Sequence, residues 1–334
     1  MNKINLAVVG FGRIGKIHAE NIISAKDATL KMIIDPILHL ENQIGDNKIK
    51  FSKNFEDLFD AQNIDGVVIC SPSNCHIDQI KKTSQKIKHI FCEKPLGLSV
   101  NEIMDIKTMV DNKNLNLHVG FNRRFDPDFS NLKMSLSRGD IGNIHTIKII
   151  SRDPSPPPIS YIKKSGGIFL DMTIHDFDMV KYLSGSEISE IYTKGNCFIN
   201  PEIEKANDVD TVIINMSLKN GVLATINNSR KAVYGYDQRV EVLGSKGMLK
   251  VGNKLLHGVQ KGTKKGFESA NPKIFFIDRY EMSYKIEMEN FIKSIKCEKV
   301  DCANVDDGLH ALKTGLAANE SLLKNKPVQL EGLR

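Results

Sequence analysis

The 334-residue chain lacks most of what would set it apart from an ordinary globular protein. No apolar run approaches the roughly 18 residues a helix needs to cross a bilayer, which excludes a helical membrane protein. No basic stretch followed by an apolar segment opens the chain, so a cytoplasmic location is expected. Charge is not blocked into tails: 46 Lys and Arg against 40 Asp and Glu leave +6, with both signs interspersed. Such a mild excess suits small anionic ligands and gives no argument for nucleic acid. Six cysteines are scattered at positions 70, 75, 92, 197, 297 and 302, several inside apolar runs where thiols behave as small hydrophobes. They imply no disulfide framework. Cys70, Cys75 and His76 lack the second ligand pair a zinc site requires, and no metal is expected. Internal repeats and low-complexity tracts are missing as well. What remains, 41% hydrophobic and 26% charged residues, suits two domains with substantial cores.

The first of these announces itself early. Ile4 to Val9 is an apolar run followed at once by Gly10-Phe11-Gly12-Arg13-Ile14-Gly15 and then by a helical pattern through Ile17, Ala19 and Ile22. In a strand, turn and helix of this kind, Gly10 makes the turn, Gly12 lets the backbone approach a pyrophosphate, and Gly15 lets the helix pack on the strand. A second apolar run, Leu30 to Ile34, ends in Asp35, where a carboxylate can take the ribose hydroxyls of an adenosine half. That charge would repel a 2'-phosphate, so NAD is expected over NADP, although Arg13 in the turn could partly accommodate a phosphate.

Strands and helices then alternate: helix near Phe55 to Phe59, strand Gly66 to Cys70, helix from Asn74 to Gln85, strand His89 to Cys92, helix Val100 to Val110, strand Leu115 to Val119. The expectation is a doubly wound parallel sheet over residues 1–122. Ligands of such sheets bind beyond the carboxyl ends of the strands. That puts three segments in the cofactor crevice: Ser71-Pro72-Ser73-Asn74 with His76 close behind, Glu93-Lys94-Pro95, and Gly120-Phe121-Asn122-Arg123. A lysine after a strand is most often an exposed loop charge, but the following proline stiffens the backbone and suits Lys94 to aim an ammonium at bound ligand.

From residue 123 the pattern changes to an α+β domain running to 334. After a helix at Phe129 to Leu136 come Ile144 to Ile150, Ile188 to Phe198, Val209 to Leu218, Val222 to Asn228, Arg239 to Leu243 and Met248 to Val251. These read as a large, mainly antiparallel open sheet, with Asn220-Gly221 as a two-residue hairpin signal. Pro154 to Pro158 makes a stiff loop, and 252–273 reads as an exposed loop. Two helices, Tyr280 to Cys297 and Val305 to Leu323, close the chain with packing periodicity.

Between the first two strands of this half lies an apolar helix over 166–183. Asp171 and His175 sit four residues apart on it, one turn apart on one face, with Asp178 a further turn along. Taken alone, such a stripe is the usual look of a solvated face. Alternatively it is an acid/base pair on a rigid support.

With the glycine turn, Glu93-Lys94-Pro95 and Asp171-x3-His175 in order, the chain resembles the Gfo/Idh/MocA oxidoreductase family over essentially its whole length. Two longer strings, Ser151 to Pro158 leading through Tyr161 into Gly166 to Asp178, and Tyr234-Gly235-Tyr236-Asp237, are similar to those of its inositol 2-dehydrogenase branch. The resemblance implies NAD-dependent oxidation of myo-inositol to the 2-keto inosose, a place in inositol catabolism, and a homotetramer. By matching position it implies Lys94, Asp171 and His175 as a catalytic triad, with Arg123, Asp153, Thr173 and Tyr236 lining the polyol pocket. Other readings stay open: a family member acting on scyllo-inositol or an aldose, or a non-catalytic NAD-binding regulator. A zinc alcohol dehydrogenase would need Cys/His/Cys ligands, and a short-chain reductase a Tyr four residues before Lys.

Overall fold

A computed structural model describes residues 3–37 and 48–332, which divide into two compact units. The first contains the chain up to Phe125 together with Met282–Leu312; the second contains Asp126–Glu281 and the residues after Leu312.

In the first unit, β1 (Ile4–Val9), α1 (Arg13–Ser24), β2 (Ala28–Ile34), β3 (Lys50–Ser52), α2 (Asp57–Asp60), β4 (Gly66–Ile69), α3 (His76–Thr83), β5 (His89–Glu93), α4 (Val100–Lys113) and β6 (Asn116–Gly120) follow one another. The strands form one parallel sheet in the order β3-β2-β1-β4-β5-β6. Gly66–Ile69 is buried throughout, as befits a strand covered on both faces, and this is why the strands read as continuous apolar runs. The order reverses between β1 and β4, so the glycine turn after β1 lies at the switch point where such sheets bind ligands.

The second unit holds α5 (Pro127–Arg138), β7 (Ile144–Arg152), α6 (Ile159–Ser165), a π-helical turn (Phe169–Thr173) running into α7 (Ile174–Ser184), β8 (Ile188–Asn196), α8 (Pro201–Lys205), β9 (Thr211–Leu218), β10 (Leu223–Ser229), β11 (Asp237–Gly244) and β12 (Gly247–Val251). These are followed by an exposed hairpin of β13 (Gln260–Thr263) and β14 (Gly266–Ser269), then α9 (Phe276–Ile295), α10 (Val305–Lys324) and β15 (Val328–Gln329). Seven strands form a sheet in the order β12-β11-β7-β10-β9-β8-β15. Every neighbouring pair is antiparallel except β7 with β10. Along β9 the even positions Val212, Ile214, Met216 and Leu218 are buried, whereas Ile213 is half exposed. One face is therefore core and the other open, as period-two alternation dictates. Asn220-Gly221 makes the β9–β10 turn, with Gly221 at φ +85°.

Several elements differ from the sequence reading. The loop expected over 252–273 contains the β13–β14 hairpin, whose residues are all exposed and so carry no apolar alternation. Helices α6 and α8 were not anticipated. Both follow recognisable start signals, Pro158 before the first and Asn200-Pro201 at the second, where the Asn200 side chain accepts from the Glu202 N–H. Residues 282–312, placed by sequence with the second domain, belong to the first unit: Met288, Phe291 and Ile292 pack in one core cluster with Leu6, Val8, Ile22, Leu30 and Phe91.

Candidate active site

Each glycine of the first turn has a distinct reason to be there. Gly10 has φ +86°, and a Cβ on it would lie 2.6 Å from the Cys70 carbonyl carbon. On Gly15 a Cβ would meet the Gly10 carbonyl oxygen at 2.0 Å, so the helix can approach the turn only without a side chain. Gly12, by contrast, faces open space, with nothing within 4 Å of where a Cβ would stand. Helix α1 starts behind it with no acidic residue in its first turn and no side-chain cap. An open approach and an uncapped helix start together fit a diphosphate. Phe11 is buried, while Arg13 is exposed and Ile14 half-buried. Asp35, just past β2, accepts from the Phe11 N–H at 2.6 Å and the Ile37 N–H at 2.8 Å. The carboxylate thus braces the turn, and each oxygen keeps a second lone pair for a hydroxyl.

The segments beyond β4 and β5 are tied together. His76 is 1% exposed, with Nδ1 on the Pro95 carbonyl and Nε2 on the Ser71 carbonyl, both at 2.8 Å. Both ring nitrogens face main-chain carbonyls, and a neutral ring donates to one of them at a time, so His76, expected at the cofactor, lies between two loops. Burial lowers its pKa, outweighing the two carbonyls, which favour the protonated ring. Ser71 donates to Gln79 at 2.6 Å, and Pro72 and Asn74 flank the same turn. Lys94 is half-buried at the end of β5, ahead of a cis peptide to Pro95. Arg123 is buried in the turn Asn122–Phe125 after β6.

In the second unit, Gly166 and Gly167, at φ +83° and +74°, end α6 and lead into the π-helical turn. Between Phe169 and Val180 every residue is buried except Asp171 and His175. Asp178, expected on the same accessible stripe, is buried, because the apolar pattern wraps this helix all round. Asp171 is gripped from outside the helix. Its Oδ2 accepts from Arg230 at 3.1 Å and its Oδ1 from the Tyr161 hydroxyl at 2.9 Å. Arg230 is fully buried and faces Asp208 at 3.7 Å as well, while Asp208 accepts from the Ile168 N–H. Nothing in the sequence pointed to this clamp: an arginine at the end of a strand looks like a surface charge.

Beneath the helix lies a buried polar network. Ser151 and Asn228 donate to Asp176 at 2.7 and 2.9 Å, and Gln238 donates to Ser151 at 2.5 Å. Thr173 has no exposed surface, and its hydroxyl accepts from Asn228 at 2.9 Å; Tyr236, 6% exposed, donates to Gln238 at 3.3 Å. These two residues, expected to line the pocket, are members of that network. Asp153 is half-buried, its main chain held by Ser229 and Ala232. A separate cavity of about 470 Å³, lined among others by Arg152, Asn227, Lys231 and Tyr234, includes none of the expected site residues. Among the described residues, a buried group close enough to share a metal ion is His18, Glu93 and Glu287, and Cys70, Cys75 and His76 form none.

A glycine turn at a parallel-sheet switch point, followed by a unit built on a mostly antiparallel sheet, is the build of an NAD-binding oxidoreductase. The chain belongs to the GFO/IDH/MocA family: residues 4–121 match its oxidoreductase domain with an NAD-binding Rossmann fold, and residues 129–250 match its C-terminal domain. It is 40% identical over 338 residues to the myo-inositol 2-dehydrogenase of Thermotoga maritima, covering 98% of this chain and 99% of that one. With the scyllo-inositol 2-dehydrogenase (NAD(+)) of Bacillus subtilis the identity is 33%, over 99% of this chain and 97% of the relative. A crystal structure of Lactobacillus casei scyllo-inositol dehydrogenase with NAD(H) and scyllo-inositol superposes with a TM-score of 0.92 at 31% identity, covering 98% and 99% of the two chains.

Proposed function

We propose that the protein oxidises myo-inositol to 2-keto-myo-inositol (scyllo-inosose), with NAD as hydride acceptor and Lys94, Asp171 and His175 as catalytic residues. The observation that carries this reading is the pair of breaks, Asp171 and His175, in the otherwise buried stretch from Phe169 to Val180, the second of a residue type that serves as a general base. Bound NAD supplies the acceptor for the carbon-bound hydrogen. His175 takes the alcohol proton, Asp171 stabilises the imidazolium that results, and Lys94 binds the carbinol oxygen as negative charge develops on it. Asp171 is held in place for that role by the buried Arg230 and the Tyr161 hydroxyl, which both donate to it. Arg123 and Asp153 supply hydrogen-bond partners for the ring hydroxyls, and Asp35 favours NAD over NADP.

The relatives include both a myo- and a scyllo-inositol 2-dehydrogenase, so the deciding measurement is a panel of both isomers and glucose with NAD and NADP. Turnover of myo-inositol with NAD is expected to be fastest. A preference for scyllo-inositol would move the reading to that isomer, and an inert protein that still binds NAD would make it a regulator. The open face of the large sheet, with Ile213, Leu223 and Leu243 exposed, supports self-association as a tetramer, which light scattering would test.

A further inference from the structure

The proposed reaction uses Lys94, and its neighbour Glu93, expected in the cofactor crevice, is 8% exposed and sits among titratable groups. His18, on α1 and without exposed surface, meets it through Nε2 at 2.8 Å from Oε1. The carboxylate requires a donor there, which assigns the proton to Nε2. The ring is boxed edge-on by Phe91 at 5.0 Å and Tyr284 at 5.7 Å, so it cannot swing away. The other oxygen of Glu93, Oε2, accepts from the Lys94 main-chain N–H at 3.2 Å. Behind the carboxyl group stands Gly120, on which a Cβ would lie 3.0 Å from both the carboxyl carbon and Oε2. Glu287, buried on α9, brings a second carboxylate into the group, with one ligand atom from each of the three residues within 4.8 Å of the others.

We propose that the His18–Glu93 pair, backed by Glu287, is a positioning device for Lys94: His18 fixes the Glu93 carboxylate, and the carboxylate fixes the main chain from which the lysine projects. This rests on the proposed role of Lys94 in inositol oxidation. Three features indicate a device rather than an incidental core pair. The histidine is held by aromatic edges, the carboxylate is confined by a missing side chain on β6, and both carboxylate oxygens are engaged, one of them by the residue expected to do chemistry. A misplacement of about 1 Å is enough to cost roughly a hundredfold in rate.

The test uses His18→Leu, which removes the donor, His18→Gln, which keeps an N–H near Nε2, and the nearly isosteric Glu93→Gln. In the full-length protein, hydrogen exchange of the Lys94 amide reads the positioning without any substrate. Exchange in His18→Leu and Glu93→Gln should quicken by about tenfold or more, and His18→Gln should restore most of the protection. With inositol and NAD, kcat should fall roughly 10- to 100-fold in the same two variants while KM for NAD stays within about threefold. In a Lys94→Ala background His18→Leu should slow turnover no further, because two residues acting as one unit are not additive. An unchanged Lys94 amide in folded Glu93→Gln, or full additivity with Lys94→Ala, overturns the proposal. Should His18→Leu fail to fold, Glu93→Gln and His18→Gln carry the same comparison. If the wild type oxidises no inositol, the substrate reading fails, and the exchange result alone decides whether the device exists.

Discussion

Arg230 has no exposed surface, and Asp171 and Asp208 are its carboxylate neighbours among the described residues. Removing it leaves two carboxylates without their cation, which for a broken buried pair costs about 3–5 kcal/mol. Arg230→Met should therefore lower the urea midpoint strongly and slow turnover, and a variant of unchanged stability would show that the clamp holds nothing. Lys94→Ala and His175→Ala should each cut kcat by about 10²- to 10⁴-fold, the range of one general acid/base group, with NAD affinity little changed by fluorescence titration. His118 offers a test by pH. Burial pushes its imidazole down to about 4 from 6.5, so the unfolded chain binds more protons between those values. Stability from this residue is complete above pH 6.5 and is lost as pH falls towards 4, amounting to about 2 kcal/mol at pH 5. Urea unfolding at pH 7.5 and 5.0 should show a smaller difference for His118→Gln than for the wild type. Of these four residues, Lys94 and His175 stood out in the sequence as candidates, because their spacing from a strand end or from Asp171 is local. Arg230 is 59 residues from Asp171, and nothing in a one-dimensional pattern links them.

At the scale of the element, the glycine turn allows a contrast that separates folding from binding. Gly15→Ala drives a Cβ into the Gly10 carbonyl and should destabilise the first unit as well as abolish NAD binding. Gly12→Ala meets no protein atom, so the chain should melt normally yet bind NAD at least tenfold more weakly, the methyl occupying room kept for phosphate. Calorimetry and NAD titration on the pair decide it; equal losses of stability would refute the assignment. The turn was readable because each glycine is demanded locally, and the strands of both sheets because burial imposes period two or an unbroken apolar run. The π-helical turn at Phe169–Thr173 was not, since a shift from i+4 to i+5 bonding leaves the composition of a helix unchanged. Strand β3 was missed for want of length, with three residues and no period to detect.

Across the whole molecule, the sequence reading separated an NAD-binding half from a sheet-bearing half, but not the return of Met282–Leu312 to the first unit. Helical periodicity in α9 says that a face is buried without saying against what. The answer lies in Met288, Phe291 and Ile292, which complete the core around Leu6, Ile22 and Phe91. Truncation after residue 281 should accordingly leave the first unit unable to hold NAD, as near-UV circular dichroism and NAD titration would show. The same return delays the domain that would otherwise mature first as a chain is made from its amino end. On the ribosome, the dinucleotide-binding unit waits unsealed while every strand of the large sheet but β15 is translated. Nascent chains halted before Met288 would then be the natural clients of chaperones, and the nucleotide could be gripped only once Met282–Leu312 has followed.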